Sequence, residues 1–220
     1  MEPLLSGLAA KANPAHAALL VIDVQNDFVA DGGFFHRVGA DVAAIQAEVL
    51  PRLRRLIDGV RAAGLPVIFV RAIYDESVLS APMRERNARL GMTMPRCISG
   101  SWGAEFCGVA PEPGETVITK HRYSAMVGTS LRDEIDRRGI RSLLLTGVAT
   151  DTCVESTGRD LYFRDYYVTV VSDCCGAFSA TDHEAALQRF HRDYGETVSC
   201  DAVLASLAGT SDAAGGAPGA

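Results

Sequence analysis

Apolar residues fall along this chain in short unbroken runs, separated by longer stretches in which they recur at helical spacing. Residues 17–23 (AALLVID) form the first run and close on a carboxylate, and residues 66–71 (PVIFVR) form the second. Residues 116–119 lead into Lys120 as a third, residues 142–148 make a fourth, residues 167–173 (YVTVVSD) a fifth, and residues 197–200 a weaker sixth. Runs that are apolar at every position belong to strands covered on both faces, as in parallel sheets. Between them, residues 41–63 place Ile45, Val49, Leu53, Leu56 and Val60 on one helical face and stop at Gly64. Pro51 inside this stretch predicts a kink or a division into two helices. Residues 130–138 predict a short helix closed by Gly139, and the segment carrying Cys153 predicts another through residue 164. A capping box of Thr181 and Glu184 opens a helix to about residue 193, and residues 202–207 make a last helical turn. Strand–helix alternation of this kind predicts a three-layer α/β/α sandwich around a doubly wound, mainly parallel six-stranded sheet. The expected limits are a loosely ordered lead-in over residues 1–16, one domain over 17–207, and a disordered tail over 208–220. Residues 72–114 are the least regular part, expected to carry one or two short helices and to wall a pocket.

Composition narrows the function classes. The chain has 220 residues, 48% hydrophobic and 22% charged, with a net charge of −6. That suits one soluble domain with a substantial core. The acidic balance, without basic runs interleaved with aromatics, argues against a nucleic-acid partner. No apolar run is long enough to span a bilayer, and the N-terminus is a poor signal peptide, so no membrane partner and a cytoplasmic location are expected. Six cysteines without regular spacing, two of them adjacent at Cys174 and Cys175, read as reduced thiols rather than a disulfide framework.

In doubly wound sheets the site lies at the carboxyl ends of the strands. That rule selects Asp23, Lys120 and the loop 146–157 (TGVATDTCVEST) around Cys153. Cys153 falls at a strand-to-helix turn, where the positive end of the helix favours a thiolate, and Thr152 with Glu155 has the spacing of a capping box. A small cysteine packed under a sheet, a capping aspartate and a solvated lysine are the alternative readings of each residue alone.

Taken together, ALLVIDVQNDF at the first strand, TVITKHRYSAM around Lys120 and LLLTGVATDTCVESTGRD around Cys153 resemble the isochorismatase-like cysteine hydrolases. This superfamily includes nicotinamidases, N-carbamoylsarcosine amidases, biuret hydrolases and ureidoacrylate amidohydrolases. The resemblance implies that Cys153 is the nucleophile, Asp23 its base and Lys120 the third member of the set. It also implies a non-proline cis peptide between Val148 and Ala149, and an oxyanion hole from the backbone N–H groups of Ala149 and Cys153. The course implied is attack on an amide carbonyl, release of an amine or ammonia, and hydrolysis of a thioester. Nicotinamidases carry an Asp-x-His…His metal cluster after the second strand, where this chain reads RAIYDESVLSAPM, with Asp75 and no histidine. His36 has no ligand partner at metal spacing, so neither a metal nor another cofactor is expected. Isochorismatases proper lack the nucleophilic cysteine. GGFFHRVGAD, KHRYSAM and the GSW of residues 100–102 are most similar to the ureidoacrylate and biuret branch, although Tyr123 stands where a biuret hydrolase has a second lysine. The substrate implied is a small ureide or carbamoyl compound, and a homodimer or homotetramer is implied as the assembly. A nicotinamidase-like amidase, a non-catalytic binding domain and a redox sensor using Cys174 or Cys175 are the alternatives. Phe28, Phe34, Phe35, Trp102, Tyr123 and Arg122 are the candidate substrate-binding residues, with Arg71, Arg96 or Arg122 able to pair with a substrate carboxylate.

Overall fold

The computed structural model of the protein describes residues 3–92 and 94–214. Six strands, β1 (Ala17–Ile22), β2 (Val67–Ala72), β3 (Thr116–Lys120), β4 (Ser142–Val148), β5 (Tyr167–Gly176) and β6 (Glu196–Val198), form one sheet in the order β3-β2-β1-β4-β5-β6. Every neighbouring pair is parallel. Every residue of β1 and β4 is buried, which is why their sequences are apolar at each position rather than at alternate ones. The order reverses between β1 and β4, so the crevice at their carboxyl ends is the fold's natural site.

The helices run in chain order as α1 (Gly7–Lys11), α2 (Asn26–Val29), α3 (Phe34–Arg37), α4 (Leu50–Ala62), α5 (Ala81–Arg89), α6 (Leu131–Arg137), α7 (Glu155–Tyr162), α8 (Ala180–Asp193) and α9 (Cys200–Ala214). On one face of the sheet α4 supplies Leu53, Leu56, Ile57 and Val60, and α9 supplies Val203 and Leu207. On the other face α6, α7 and α8 bury Leu131, Ile135, Leu161 and Phe190. Each such side chain, taken from water, contributes about 1.5–3 kcal/mol. The two cores and the sheet between them make the three-layer sandwich.

Several local expectations change. Pro51 modifies the helical run rather than dividing it: a π-helical turn, Ile45–Val49, lies immediately before α4, and the backbone stays right-handed helical through Val49 and Leu50. The lead-in is more ordered than its composition suggests. It carries α1, buries Leu5 and Ala12, and is tied to β6 by a Lys11–Glu196 ion pair of 2.6 Å. The last helix extends well past residue 207, because α9 continues through Ala214; the end of the expected tail, residues 215–220, lies outside the described residues. Thr181 and Glu184 do not open α8. Ser179 does, its Oγ accepting a hydrogen bond from the Asp182 amide at 3.3 Å. The loop after β1 folds into α2 and α3.

That loop staples down the segment between β2 and β3, which holds α5 and two short 3₁₀ turns, Glu76–Val78 and Trp102–Ala104. Buried Gln25 accepts from the Ala72 amide at 2.7 Å and donates to the carbonyls of Ala72 (3.0 Å) and Ala104 (2.9 Å). Asn26 donates to the Trp102 carbonyl at 2.8 Å, and Asp27 accepts from the amides of Phe34 (2.9 Å) and Cys97 (2.6 Å). Buried backbone groups of an irregular segment need partners, and three consecutive polar side chains supply them.

Gly147 decides how closely β1 and β4 approach at the site. Its φ is +108°, the register of β4 against β5 shifts between Leu145 and Gly147, and an added Cβ would lie 2.0 Å from the Ile22 carbonyl oxygen. Gly147→Ala is expected to lower stability by about 3 kcal/mol or more, since it combines a left-handed φ with a backbone clash. Gly39→Ala, at φ +86° with open space around the new Cβ, should lose only about 1–2 kcal/mol. Denaturant midpoints of the two variants check this; equal losses would remove the close-approach argument.

Candidate active site

Three strand ends bring Asp23, Lys120 and Cys153 together. Asp23 is the residue after β1, held at φ +54° with its amide donating to the Val70 carbonyl at 2.9 Å. Left-handed backbone is uncommon outside glycine, and aspartate is among the side chains that tolerate it best. Lys120 ends β3, in register with Ala72 at the end of β2. Cys153 lies in a π-helical turn, Thr150–Val154, between β4 and α7. The Lys120 ammonium sits 2.8 Å from Asp23 Oδ2, 3.4 Å from Cys153 Sγ and 2.9 Å from the Arg122 carbonyl oxygen. Both oxygens of the Asp23 carboxyl are buried, and the Lys120 ammonium is the charge they face. All three side chains are buried. Thr157, in the first turn of α7, donates its hydroxyl to the Cys153 carbonyl at 2.7 Å and accepts from the Ala125 amide at 3.0 Å, joining the Cys153 turn to the loop after Lys120. The Val148–Ala149 peptide is cis, and the Ala149 carbonyl accepts from the amides of Thr152 and Val154, both at 3.1 Å.

Burial dominates the electrostatics. Desolvation pushes the Cys153 thiol up to about 12, against the pull of Lys120. The Asp23 carboxyl is likewise raised by burial, with Lys120 opposing. For Lys120, burial works to lower the pKa, and the charge of Asp23 with its hydrogen bond outweighs it, so the ammonium keeps its proton. This corrects the expectation of a thiolate favoured by a helix end. Cys153 stands in a π-turn with its sulfur out of water, and desolvation exceeds what a helix terminus returns. The capping box also fails: Thr152 points its hydroxyl at Asp151 Oδ2 (3.3 Å), while Glu155 is held by Arg159 and Arg189, with Arg189 making a two-pronged contact at 2.6 and 2.8 Å. Cys174 and Cys175 are buried on β5, Cys175 donating to the Leu145 carbonyl at 3.7 Å, and all six cysteines are free thiols.

A cavity of about 310 Å³ opens over Cys153. Of the expected lining, Phe28, Phe35, Tyr123, Ala149 and Cys153 are there. Phe34, Trp102 and Arg122 are not. Phe34 lies buried beneath the wall, edge-on to Phe35 at 5.2 Å, because Asp27 pins its amide. Trp102 is 51% exposed on its 3₁₀ turn, which uses its carbonyl rather than its ring. The Arg122 guanidinium is spent on the carbonyls of Val78 (2.9 Å) and His121 (2.6 Å). Arg71 binds Thr119 Oγ1 at 3.0 Å away from this cavity, whereas Arg96 lines it. His36 accepts the Gly32 amide at 3.1 Å on the surface. Sequence reasoning missed Tyr74, Arg86, Met92 and Phe178, together with Asp151, Thr152, Ser179 and Asp182. Phe178 stacks on Phe35 at 3.9 Å and 8°. It follows β5 directly, so the strand-end rule that selected Asp23 also pointed to it. Among the described residues, no group of three or more His, Cys, Asp or Glu side chains is placed to hold a metal ion, and no helix is long and apolar enough to cross a membrane.

Residues 17–202 match the family model described as the isochorismatase domain. The ureidoacrylate amidohydrolase RutB of Stutzerimonas stutzeri (strain A1501) is 33% identical over 224 aligned residues, covering 94% of this chain and 88% of that protein. A cysteine hydrolase from Pseudomonas syringae pv. phaseolicola 1448A shares the fold, with a TM-score of 0.80 over 94% of this chain and 98% of that one at 23% identity. The N-carbamoylsarcosine amidase of Thermoplasma acidophilum superposes with a TM-score of 0.66 at 27% identity, over 84% and 95% of the two chains. Two-layer helical cover, strand order and the convergence at three strand ends thus coincide with a family match over most of the sequence: this chain belongs to the isochorismatase-domain family and is a hydrolase.

Proposed function

We propose that the protein is a cysteine-dependent amidohydrolase that cleaves a carbon–nitrogen bond of a small ureide or carbamoyl compound through a covalent thioester-type intermediate. The observation that carries this reading is the Lys120 ammonium lying between Asp23 and Cys153 at 2.8 and 3.4 Å beneath an aromatic-walled cavity. In the resting site the thiol holds its proton, the carboxyl is ionised and the ammonium is shared by both. Moving the proton from Cys153 to Asp23 leaves the net charge of the buried group unchanged, so no new charge has to be desolvated. Lys120 stabilises whichever neighbour is the anion. The thiolate formed attacks the carbonyl carbon, and the amide N–H groups of Ala149 and Cys153 receive the developing oxyanion. Asp23 returns its proton to the departing nitrogen as the C–N bond breaks, and water then cleaves the acyl–sulfur bond with Asp23 again as base. With a carbamoyl substrate the intermediate is an S-carbamoyl cysteine.

Similarity to the ureidoacrylate amidohydrolase and to the N-carbamoylsarcosine amidase supports a ureide or carbamoyl substrate. The cavity supports it as well: Phe28, Phe35, Tyr74 and Phe178 offer flat faces suited to a conjugated amide, beside charged groups that can fix its orientation.

A panel of ureidoacrylate, an N-carbamoyl amino acid, biuret and nicotinamide should give the highest kcat/KM for one of the first three. Cys153→Ala should lose about 10⁴-fold or more in kcat, while mass spectrometry of wild-type protein quenched in turnover should find the acyl adduct on Cys153. A preference for nicotinamide would overturn the substrate class, and turnover by Cys153→Ala would overturn the mechanism.

Asp23→Asn and Lys120→Met should each slow the acylation step by about 10²–10⁴-fold. The double variant should fall far short of the product of the two losses, since the pair acts as one unit with the thiol. Single-turnover rates measure this, and multiplicative losses would mean independent roles.

Proton positions give a spectroscopic expectation. With its thiol pushed up to about 12, Cys153 should contribute no thiolate absorbance at 240 nm between about pH 6 and 9, read as wild type minus Cys153→Ser. On the acid side, kcat/KM should fall as Asp23 takes a proton, at a pH above the usual carboxylate range because its pKa is raised. An extra thiolate signal at pH 7 would place the resting proton on Asp23 instead.

A further inference from the structure

Arg96 is buried, with 7% of its surface exposed, and it is the buried arginine of the described residues. A guanidinium cannot shed its proton, so burying it without an anion leaves a full charge out of water. Its contacts do not supply one. The group lies over the rings of Phe34 (5.4 Å) and Tyr74 (5.1 Å), and its hydrogen bond to Asn87 Oδ1 is long, at 3.5 Å. Aromatic faces attract a cation without neutralising it. None of the ion pairs among the described residues includes Arg96. The nearby buried carboxylate, Asp27, is already committed to the amides of Phe34 and Cys97 and lies 3.8 Å from Arg37.

What Arg96 does face is the cavity over Cys153. Arg86 adds a second positive charge to the same wall, stacked over Tyr123 at 5.7 Å, with a 3.6 Å contact to Met92 Sδ and no carboxylate partner among the described residues. The nucleophile turn and α8 contribute Asp151 and Asp182 to the lining. A ligand with one negative charge at the Arg96 end is attracted there, whereas a second charge near the two aspartates is repelled.

We propose that Arg96 is the binding residue for a carboxylate at the far end of the substrate, so that the cavity selects flat monoanionic amides or ureides over their neutral counterparts. The proposal rests on the amidohydrolase reading of this cavity and adds to it the group that orients the substrate. Two parallel N–H···O bonds to the carboxylate would complete the pairing that the folded chain leaves open, while the aromatic contacts hold the guanidinium plane in place.

The test uses the full-length Cys153→Ala protein and calorimetric titration with a matched pair, 3-ureidopropionate and its neutral carboxamide. The acid should bind about 10–100-fold more tightly than the amide. Arg96→Lys in the same background keeps the charge and the stem but loses the fork, and should weaken the acid about 10-fold. Arg96→Gln should abolish the preference, and the affinity for the amide should stay unchanged in both. Thermal melts check that the variants fold; if Arg96→Gln does not, the Arg96→Lys comparison decides. Equal binding of acid and amide, no binding of the acid, or an equal loss for both ligands on Arg96→Lys would overturn the proposal, the last by showing a purely structural role. Because no turnover is needed, acid selectivity that depends on Arg96 in a protein whose wild type cleaves no ureide would sustain the anion site while removing the amidohydrolase reading.

Discussion

A fully buried ammonium is the constraint on which this molecule turns. Lys120 has no exposed surface, and a charge in that position persists only where opposite charge and hydrogen-bond acceptors surround it. Asp23 supplies the charge, and the Arg122 carbonyl and the Cys153 sulfur supply the remaining contacts. Each partner comes from a different strand end, so the pairing couples the geometry of β1, β3 and the turn after β4. Loss of any one leaves an uncompensated group in a dry place. The same dryness that makes the pair costly pushes up the pKa of the Cys153 thiol beside it.

The sheet prepares this meeting. Parallel strands all end on the same side, and the reversal of order between β1 and β4 leaves a crevice there that helices do not fill. Gly147 allows β4 to run against the Ile22 carbonyl, just after the register of β4 against β5 shifts between Leu145 and Gly147. Above the crevice, Gln25, Asn26 and Asp27 bind backbone groups of the segment between β2 and β3. An irregular segment of that length therefore forms a fixed wall, with Phe28 and Phe35 on one side and Tyr74 and Arg96 on another.

That wall also explains why charge is distributed as it is. Most arginines of the chain form ion pairs, many of them exposed, as Arg52 with Glu48 and Arg132 with Asp136. Such exposed pairs contribute about 0–1 kcal/mol each. The two that face the cavity from the lid have aromatic and sulfur neighbours instead. Arg86 and Arg96 thus place positive charge on the wall of the cavity over Cys153.

Sequence by itself determined the sheet and the meeting of Asp23, Lys120 and Cys153 at one rim. Uninterrupted apolar runs mark strands buried on both faces, the alternation with helices makes them parallel, and parallel strands deliver their last residues to one rim. Asp23, Lys120 and Cys153 were legible for that reason, without knowledge of the packing. Local signals lost where tertiary contacts outbid them: Thr152 and Glu155 have capping spacing, yet Glu155 is drawn to Arg159 and to Arg189 from another helix. The same holds for the thiol, whose helix-end position suggested a thiolate while its burial raised the pKa. Only the tertiary structure decided the cavity. Phe34 and Phe35 are adjacent and chemically alike, and a hydrogen bond from the Phe34 amide to Asp27 fixes a loop in which one ring is buried and the other faces the cavity. Arg96 and Arg122 were equal candidates as sequence, but one spends its guanidinium on carbonyls and the other keeps it in the cavity. Which face a side chain presents in an irregular segment depends on partners distant in the chain, and no period of 2 or 3.6 encodes that.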